Sequence, residues 1–327
     1  MKILRVGDPH IKPSNIAEAE SLMQFVKKTA IAAKVDRIEI LGDLFHTHAV
    51  VRLEVLSFWD RWLQELSDVL ETVVLVGNHD MTGSYDSYNH ALTVFKRIKN
   101  ENLRIIDKPT QIGYIGYMPY IHDAEEFVRQ ASRLGTAVLV CHATFSGSQY
   151  DNGFYAPEGI NPDEIQQHTI ISGHVHKEQI IAKGKVDYPG TSMWQTASDA
   201  NENKGIWLYE HDPVTGKVLQ RDRISTAHVV TPIVSFTWIE GEEPPVIPEG
   251  SKASVELVGT SDWISKKKAT LKGKVSISSK FTDQKRKLER KAGNSLESYL
   301  MNTYDTKMDR TKLLSFAQGL GIVQVNN

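Results

Sequence analysis

Over about the first 200 residues, short apolar, β-branched runs alternate with longer stretches whose apolar residues recur every three or four positions, the pattern of a layered α/β domain. Residues 2–6, 37–41 and 72–76 read as strands. Residues 16–34 read as a helix with Ala19, Leu22, Met23, Phe25, Val26 and Ala30 at helical spacing. Residues 53–70 read as a second helix, with Leu53, Leu56, Trp59, Leu63 and Leu66 on one face. Residues 136–141 and 169–172 are further apolar runs, each stopping at a histidine or at Gly-His. After Tyr188 the pattern changes to strands and turns: 205–210, a turn at 212–216, then 217–223, a β-meander that closes the first domain.

Residues 233–238 and 253–258 look like strands on either side of a segment that holds Pro244, Pro245 and Pro248. That segment is either a connector or a long loop inside a small second domain. From Ser295, the positions of Leu296, Leu300, Leu313, Leu314, Phe316 and Leu320 predict two short helices. The expected organisation is 1–228 as a first domain, 229–292 as a small basic domain and 293–327 as C-terminal helices. No internal repeat and no sustained heptad interrupts it.

Composition adds little until its distribution is considered. With 327 residues, 40% of them hydrophobic, the chain can fill a large core, and its net charge of −2 names no partner. Residues 261–291, however, hold eleven Lys or Arg against Asp262, Asp283 and Glu289. The single cysteine, Cys141, forms no internal disulfide and sits in an apolar run as a core residue. Met1 leads directly into a strand-like pattern with no secretory leader, and the longest apolar runs, such as 137–141, are too short to span a bilayer. A soluble cytoplasmic protein with no membrane partner is expected.

The chemistry is carried by five clusters: Asp8-Pro9-His10, Gly42-Asp43-Leu44-Phe45-His46, Gly77-Asn78-His79-Asp80, Cys141-His142 and Gly173-His174-Val175-His176. Each follows an apolar run, so each emerges where a buried strand ends, at the sheet edge where α/β proteins build sites. Carboxylate, imidazole and one amide without thiolate spacing suit manganese, iron or zinc in a reactive centre. Seven candidate ligands, Asp8, His10, Asp43, Asn78, His142, His174 and His176, exceed the need of one ion. Two ions sharing a bridging carboxylate would use them all. Taken singly, each has an ordinary reading: Asp8 and Asn78 are common turn residues, and a lone histidine after a strand is usually packing or surface. Five clusters together favour ligation. The other histidines, His48, His90, His122, His168, His211 and His228, are expected at the surface or in satisfied core positions, with His48 and His122 lying close to motif loops.

The order DxH, GDxxH, GNHD, H, GHxH resembles the calcineurin-like metallophosphoesterases. Within them, GDLFH at 42–46, Tyr188-Pro189-Gly190-Thr191 and Asn203-Lys204-Gly205-Ile206-Trp207 are most similar to the SbcD type of DNA-repair nuclease, including its phage recombination versions. The resemblance covers about two thirds of the chain and thins beyond residue 228. It implies a sandwich of two mixed β-sheets flanked by helices, followed by a small α+β capping domain and C-terminal helices. It also implies two divalent ions, most characteristically Mn2+. Asp8, His10 and His176 would hold one, Asn78, His142 and His174 the other, and Asp43 would bridge them. His79 would stabilise or protonate the departing 3′-oxygen, Asp80 would orient its ring, and His46 would lie near the scissile phosphate.

The implied activity is 3′ to 5′ exonuclease on duplex ends and endonuclease on single strands, in double-strand-break processing and recombination. A coiled-coil ATPase of the SbcC type would dock on the C-terminal helices. A homodimer would form through helices near 53–70 or 88–98. Lys266, Lys267, Lys268, Lys272 and Lys274 could neutralise DNA phosphates, although charge runs are usually solvated faces. Trp263, Phe281 and Tyr299 could stack on bases, although such aromatics more often fill a small core. Two alternatives stand beside the nuclease. One is a phosphomonoesterase or protein phosphatase of the same fold, which would resemble GDxxDRG and GNHE instead. The other is a non-catalytic scaffold, which would tolerate lost ligands where none is lost.

Overall fold

A computed structural model describes residues 1–83, 89–151, 153–156, 158–271 and 275–283. The predicted C-terminal helices lie outside these residues. Three strands and two helices appear close to where the hydrophobic pattern puts them: β1 (Lys2–Val6), α1 (Ile16–Ala33), β2 (Arg37–Ile40), α2 (Leu53–Ser67) and β3 (Glu71–Leu75). The chain continues through β4 (Leu103–Ile106), β5 (Thr110–Ile112), β6 (Ile115–Met118), α3 (Ala124–Ala131), β7 (Val138–His142), β8 (Thr169–Gly173), β9 (Gln179–Ile181) and β10 (Val186–Tyr188). The meander is β11 (Gly205–His211) and β12 (Val218–Ser225). Asp212 closes its turn by accepting from Val214 N and Thr215 N at 2.9 and 2.7 Å.

Two six-stranded mixed sheets result, in the orders β12-β11-β1-β2-β3-β4 and β5-β6-β7-β8-β10-β9. In the first, β1 to β4 run parallel and β11 pairs antiparallel with β1; in the second, β6, β7, β8 and β10 run parallel. One face of the first sheet packs Leu4, Val6, Ile38 and Ile40 beneath α1 and α2. A second cluster joins Phe127 of α3 to Leu139 and Ile170. A third, with Ile3, Val73, Tyr117, Val140, Ile171 and Tyr209, fills the space between the sheets. This is the expected two-sheet α/β architecture with flanking helices.

The buried stripe of α2 is rotated from the expected one. Leu53 is 75% exposed and Leu56 half-buried, while Val55, Phe58 and Trp62 join Trp59, Leu63 and Leu66 inside. The helical period admits either neighbouring stripe, and the sheet selects one. Trp59 Nε1 then donates to Leu44 O at 3.1 Å, so this helix grips the loop that follows β2.

Beyond the sandwich, β13 (Ile233–Ile239), β14 (Lys252–Gly259), α4 (Ser261–Leu271) and β15 (Ser276–Phe281) make a three-stranded sheet and a helix. The proline-bearing segment joins β13 to β14 as a loop. A second compact unit includes Thr237–Pro244 and all of α4. Within it the Trp238 and Trp263 rings meet edge to face at 5.4 Å, with Lys267 Nζ 4.6 Å above Trp238. Trp263 is therefore packed in the small unit, as its alternative reading anticipated. Among the described residues, no helix is long and apolar enough to cross a membrane.

Candidate metal centre

Parallel strands deliver their ends to one edge, and both sheets contribute. Asp8 and His10 follow β1, Asp43 follows β2, Asn78 follows β3, His142 ends β7, and His174 and His176 follow β8. Four of these residues leave extended geometry at once: Asp8, His10, Asp43 and His174 have φ of 25°, 45°, 52° and 80°. Side-chain-bearing residues in this region carry strain that the surrounding structure must hold in place. His10 N donates to Asp43 O at 3.0 Å and His174 N donates to Asp8 Oδ2 at 2.7 Å, tying the strand ends together. Two motif glycines make the approach possible. A Cβ on Gly42, whose φ is +105°, would lie 2.5 Å from His142 Nδ1, and one on Gly77 would lie 2.2 Å from Asp43 Oδ1.

All seven predicted ligands come together. Nε2 of His10 lies 2.9 Å from Nε2 of His176 and 3.5 Å from Asp43 Oδ2. Asp43 Oδ2 lies 3.3 Å from His142 Nε2, which is 3.0 Å from Asn78 Oδ1. Asn78 Oδ1 in turn is 2.8 Å from His174 Nδ1. The outer ring nitrogens face backbone carbonyls: His142 Nδ1 donates to Leu41 O at 2.8 Å, and His10 Nδ1 lies 3.3 Å from Phe45 O. A proton held there turns the Nε2 lone pair inward, the arrangement a ligating imidazole needs.

The electrostatics fit a cation. Asp8, His10, Asp43 and His142 are almost wholly shielded from solvent. Asp8 Oδ1 finds no hydrogen-bond donor among the described residues, and burial pushes this carboxyl up to about 6. Burial also opposes the charge of Asp43, but the adjacent His142 outweighs it and holds that carboxyl well below its ordinary range. Burial likewise disfavours charge on His142, yet Asp43 and Asp8 raise it to about 9. His174 is driven down to about 3 by burial and by His142. Buried carboxylates crowded by converging imidazoles, with one carboxylate oxygen left without a donor, fit divalent ions of the oxygen- and nitrogen-loving kind. Three groups of possible ligands stand out among the described residues: His10 with Asp43 and His79, Asp43 with His142 and His174, and Asp151 with His176 and Asp199; Asp43 belongs to the first two.

His79 stands at the edge of this cluster. Its Nδ1 lies 2.7 Å from His46 O, and burial lowers its pKa. Asp80 does not orient that ring. Its carboxylate accepts instead from Gly77 N at 2.9 Å and Phe45 N at 3.1 Å, and burial together with nearby Asp43 raises its pKa to about 8. Asp80 is thus a brace between two motif loops. The His46 ring lies 5.7 Å from that of His10 and 6.2 Å from that of His79. His48, expected at the surface or in the core, has its ring 4.1 Å from His79.

Three residues escaped the sequence reading. Asp151 Oδ2 lies 3.4 Å from His176 Nδ1, on the side away from His10. The Lys204 ammonium, buried with Asp199 at 2.8 Å and Glu202 at 2.6 Å, donates to His176 O at 3.0 Å. The Tyr120 ring lies 5.6 Å from that of His174. Only Lys204 had a signal, its place in the Asn203-Lys204-Gly205-Ile206-Trp207 stretch. The same stretch explains Pro189-Gly190: Trp207 Nε1 donates to Pro189 O at 2.9 Å, and Thr191 N to His176 O at 3.0 Å.

Of the predicted phosphate-binding lysines, Lys266 pairs with Asp262 at 2.6 Å in full solvent, Lys267 lies over Trp238, and Lys268 is exposed. Lys272 and Lys274 fall outside the described residues. Cys141 is fully buried, its thiol pushed up to about 12 by burial, in accord with a core role.

Residues 1–178 match the family model of calcineurin-like phosphoesterases. The chain is 26% identical over 275 residues to the putative phosphoesterase 244L of Invertebrate iridescent virus 6, covering 78% of this chain and 95% of that one. It is 24% identical over 286 residues to exonuclease subunit 1 of Enterobacteria phage T4, covering 76% and 82%. The crystal structure of TT1561 of Thermus thermophilus is similar with a TM-score of 0.43 and 14% identity, covering 68% of this chain and 98% of that one. With a match over more than half its length, the chain belongs to the calcineurin-like phosphoesterases and is a metal-dependent phosphoesterase.

Proposed function

We propose that this chain is a two-metal DNA nuclease, a 3′ to 5′ exonuclease on duplex ends and an endonuclease on single strands, working in double-strand-break processing. The observation that carries the reading is the seat of Asp43 Oδ2 between His10 Nε2 at 3.5 Å and His142 Nε2 at 3.3 Å. A carboxylate oxygen between two sets of imidazoles suits a bridge. Asp8, His10 and His176 would hold one ion and Asn78, His142 and His174 the other, with Mn2+ the preferred metal. Such ions activate water for in-line attack on phosphorus and neutralise the charge of the leaving oxygen.

The protein's own part is positioning. The backbone carbonyl of His46 holds the His79 ring, so that Nε2 faces the departing 3′-oxygen and donates to it when protonated. His46 itself contacts the scissile phosphate. DNA is favoured over a monoester by GDLFH and GNHD in place of GDxxDRG and GNHE, and by the likeness to a phage exonuclease subunit. The basic residues between 261 and 291 would add sequence-independent phosphate contacts.

The same reading gives the protein a coiled-coil ATPase partner on residues 293–327 and a homodimer around α2, beside which Val50, Val51 and Leu53 expose 54%, 42% and 75% of their surface. The test is Mn2+-dependent degradation of end-labelled duplex DNA, set against chromogenic monoester and diester substrates, for the wild type and His79→Asn. DNA cleavage lost in the variant is expected; strong monoester hydrolysis with intact DNA would refute the nuclease. Deleting residues 295–327 should abolish capture of the ATPase and spare Mn2+-dependent cleavage.

A further inference from the structure

Among the imidazoles of the ligand cluster, His176 is held from outside in its own way. The outer nitrogens of His142 and His10 face backbone carbonyls, Leu41 O and Phe45 O. His176 Nδ1 meets a carboxylate instead, Asp151 Oδ2 at 3.4 Å. A backbone carbonyl next to a strand is a fixture of the fold, whereas Asp151 arrives from the long connection between β7 and β8 and its place has to be built. Where that connection folds back, Gln149 pairs antiparallel with Tyr155, and Tyr150 N donates to Phe154 O at 2.9 Å. The Gln179 side chain on β9 grips Gln149 twice, accepting from its N at 2.8 Å and donating to its O at 2.7 Å. Lys177 Nζ adds a third bond, to Gln149 Oε1 at 2.5 Å. Lys177 and Gln179 follow His176 closely, so one short segment both carries the imidazole and anchors the chain that bears its carboxylate.

We propose that Asp151 is a positioning residue for His176, keeping the ring proton on Nδ1 so that the Nε2 lone pair points at the ion held with Asp8 and His10. The inference rests on the reading of His176 as a ligand and names the group that makes it a good one. Three observations carry it. The first is direction: His176 Nε2 lies 2.9 Å from His10 Nε2, and the partner of one ring nitrogen decides which nitrogen is left to bind a metal. The second is charge, since a carboxylate behind an imidazole makes it a more basic ligand than a neutral acceptor does. The third is availability. Asp151, His176 and Asp199 form a group of possible ligands, but the buried Lys204 ammonium already pairs with Asp199 at 2.8 Å, which leaves Asp151 to His176. The backbone of His176 is fixed separately, its carbonyl accepting from Lys204 Nζ and from Thr191 N at 3.0 Å each. What Asp151 adds is the rotation and the tautomer of the ring.

The test is calorimetric titration of Mn2+ into the metal-free full chain, together with nitrogen NMR of the histidine rings. His176→Ala, the reference, should lose one of two ions. Asp151→Ala should keep both sites but weaken one of them by about 10–100-fold, the usual effect of removing such a partner. In the same variant the metal-free His176 ring should pass from the Nδ1–H to the Nε2–H tautomer while His10 stays as it was. Asp151→Asn, whose amide oxygen still accepts from Nδ1, should restore the tautomer and part of the affinity. Gln179→Ala, which touches neither the ring nor the ion, should weaken the same ion by a smaller factor. Metal-free melting temperatures of the Asp151 variants should match the wild type. Unchanged affinities and an unchanged tautomer in Asp151→Ala would overturn the assignment. Equal weakening of both ions with a lower melting temperature would also overturn it, by giving Asp151 to the fold instead of to His176. If His176→Ala keeps both ions, the ligand reading falls and the inference with it.

Discussion

His10 and His176, 166 positions apart in the chain, bring their Nε2 atoms to 2.9 Å. The carbonyl of Phe45 lies at the other nitrogen of His10, and the carboxylate of Asp151 at the other nitrogen of His176. Both rings are thus polarised inward toward one point. We predict that His10→Asn lowers the Mn2+ bound per chain from two to one. Activity on a phosphodiester should fall below about 1% of the wild type if, as proposed, two ions act on one phosphorus. Elemental analysis after gel filtration reads the first effect; a variant that keeps two ions and full rate would dismiss the assignment.

Lys204 should matter out of proportion to its distance from any phosphate. It is 3% exposed, pairs with fully buried Asp199, and supports the backbone of His176. Lys204→Met leaves a buried carboxylate without its partner, a loss of about 3–5 kcal/mol. Loosening His176 should also weaken Mn2+ binding by about 10–100-fold. Thermal unfolding and a metal titration measure the two effects, and an unchanged melting temperature would show that the ion pair contributes nothing.

Gly42→Ala should damage the centre from its backbone. The added methyl would stand 2.5 Å from His142 Nδ1 at a φ of +105°. Steric and conformational strain together should cost at least about 2 kcal/mol. Denaturant unfolding should show a lower midpoint, and the variant should lose its second Mn2+ because His142 is displaced. Wild-type values for both would mean that the loop yields freely.

Acid sensitivity should come from the core between the sheets as well as from the metal site. His211 Nε2 accepts from Arg5 Nη1 at 3.0 Å while its Nδ1 donates to Gly216 O at 2.9 Å, so the ring must be neutral. Burial and Arg5 lower its pKa from 6.5 to about 4. The folded pKa lies below the unfolded one. This contribution to stability is therefore complete above about pH 6.5 and is lost as pH falls toward 4, amounting to about 3 kcal/mol. Unfolding followed from pH 7 to 4.5 should fall less steeply for His211→Gln than for the wild type; parallel slopes would place the acid response elsewhere.

Much of the site was legible because its signals are local. Asp8, Asp43, Asn78, His142 and His174 each follow an apolar strand, and a strand end is set by a few consecutive residues. The errors arose where direction mattered. Asp80 adjoins His79 in sequence, yet its carboxylate points away to Gly77 N and Phe45 N. Leu53 completes a plausible apolar stripe on α2, yet the sheet takes the stripe of Val55, Phe58 and Trp62. β5 and β9, three residues each, are too short to show a period and exist because a neighbouring strand pairs with them.

By itself, the sequence determined which residue types stand at which strand ends, and with them the family and the chemistry of the ligand set. Only the tertiary structure decided how these residues face one another. The contact between His142 Nδ1 and Leu41 O spans 101 positions and that between Lys204 Nζ and His176 O spans 28. The physical reason is that backbone periodicity is governed by neighbours along the chain. The direction of a side chain, its protonation state and the partner it meets are set by whatever packing brings against it.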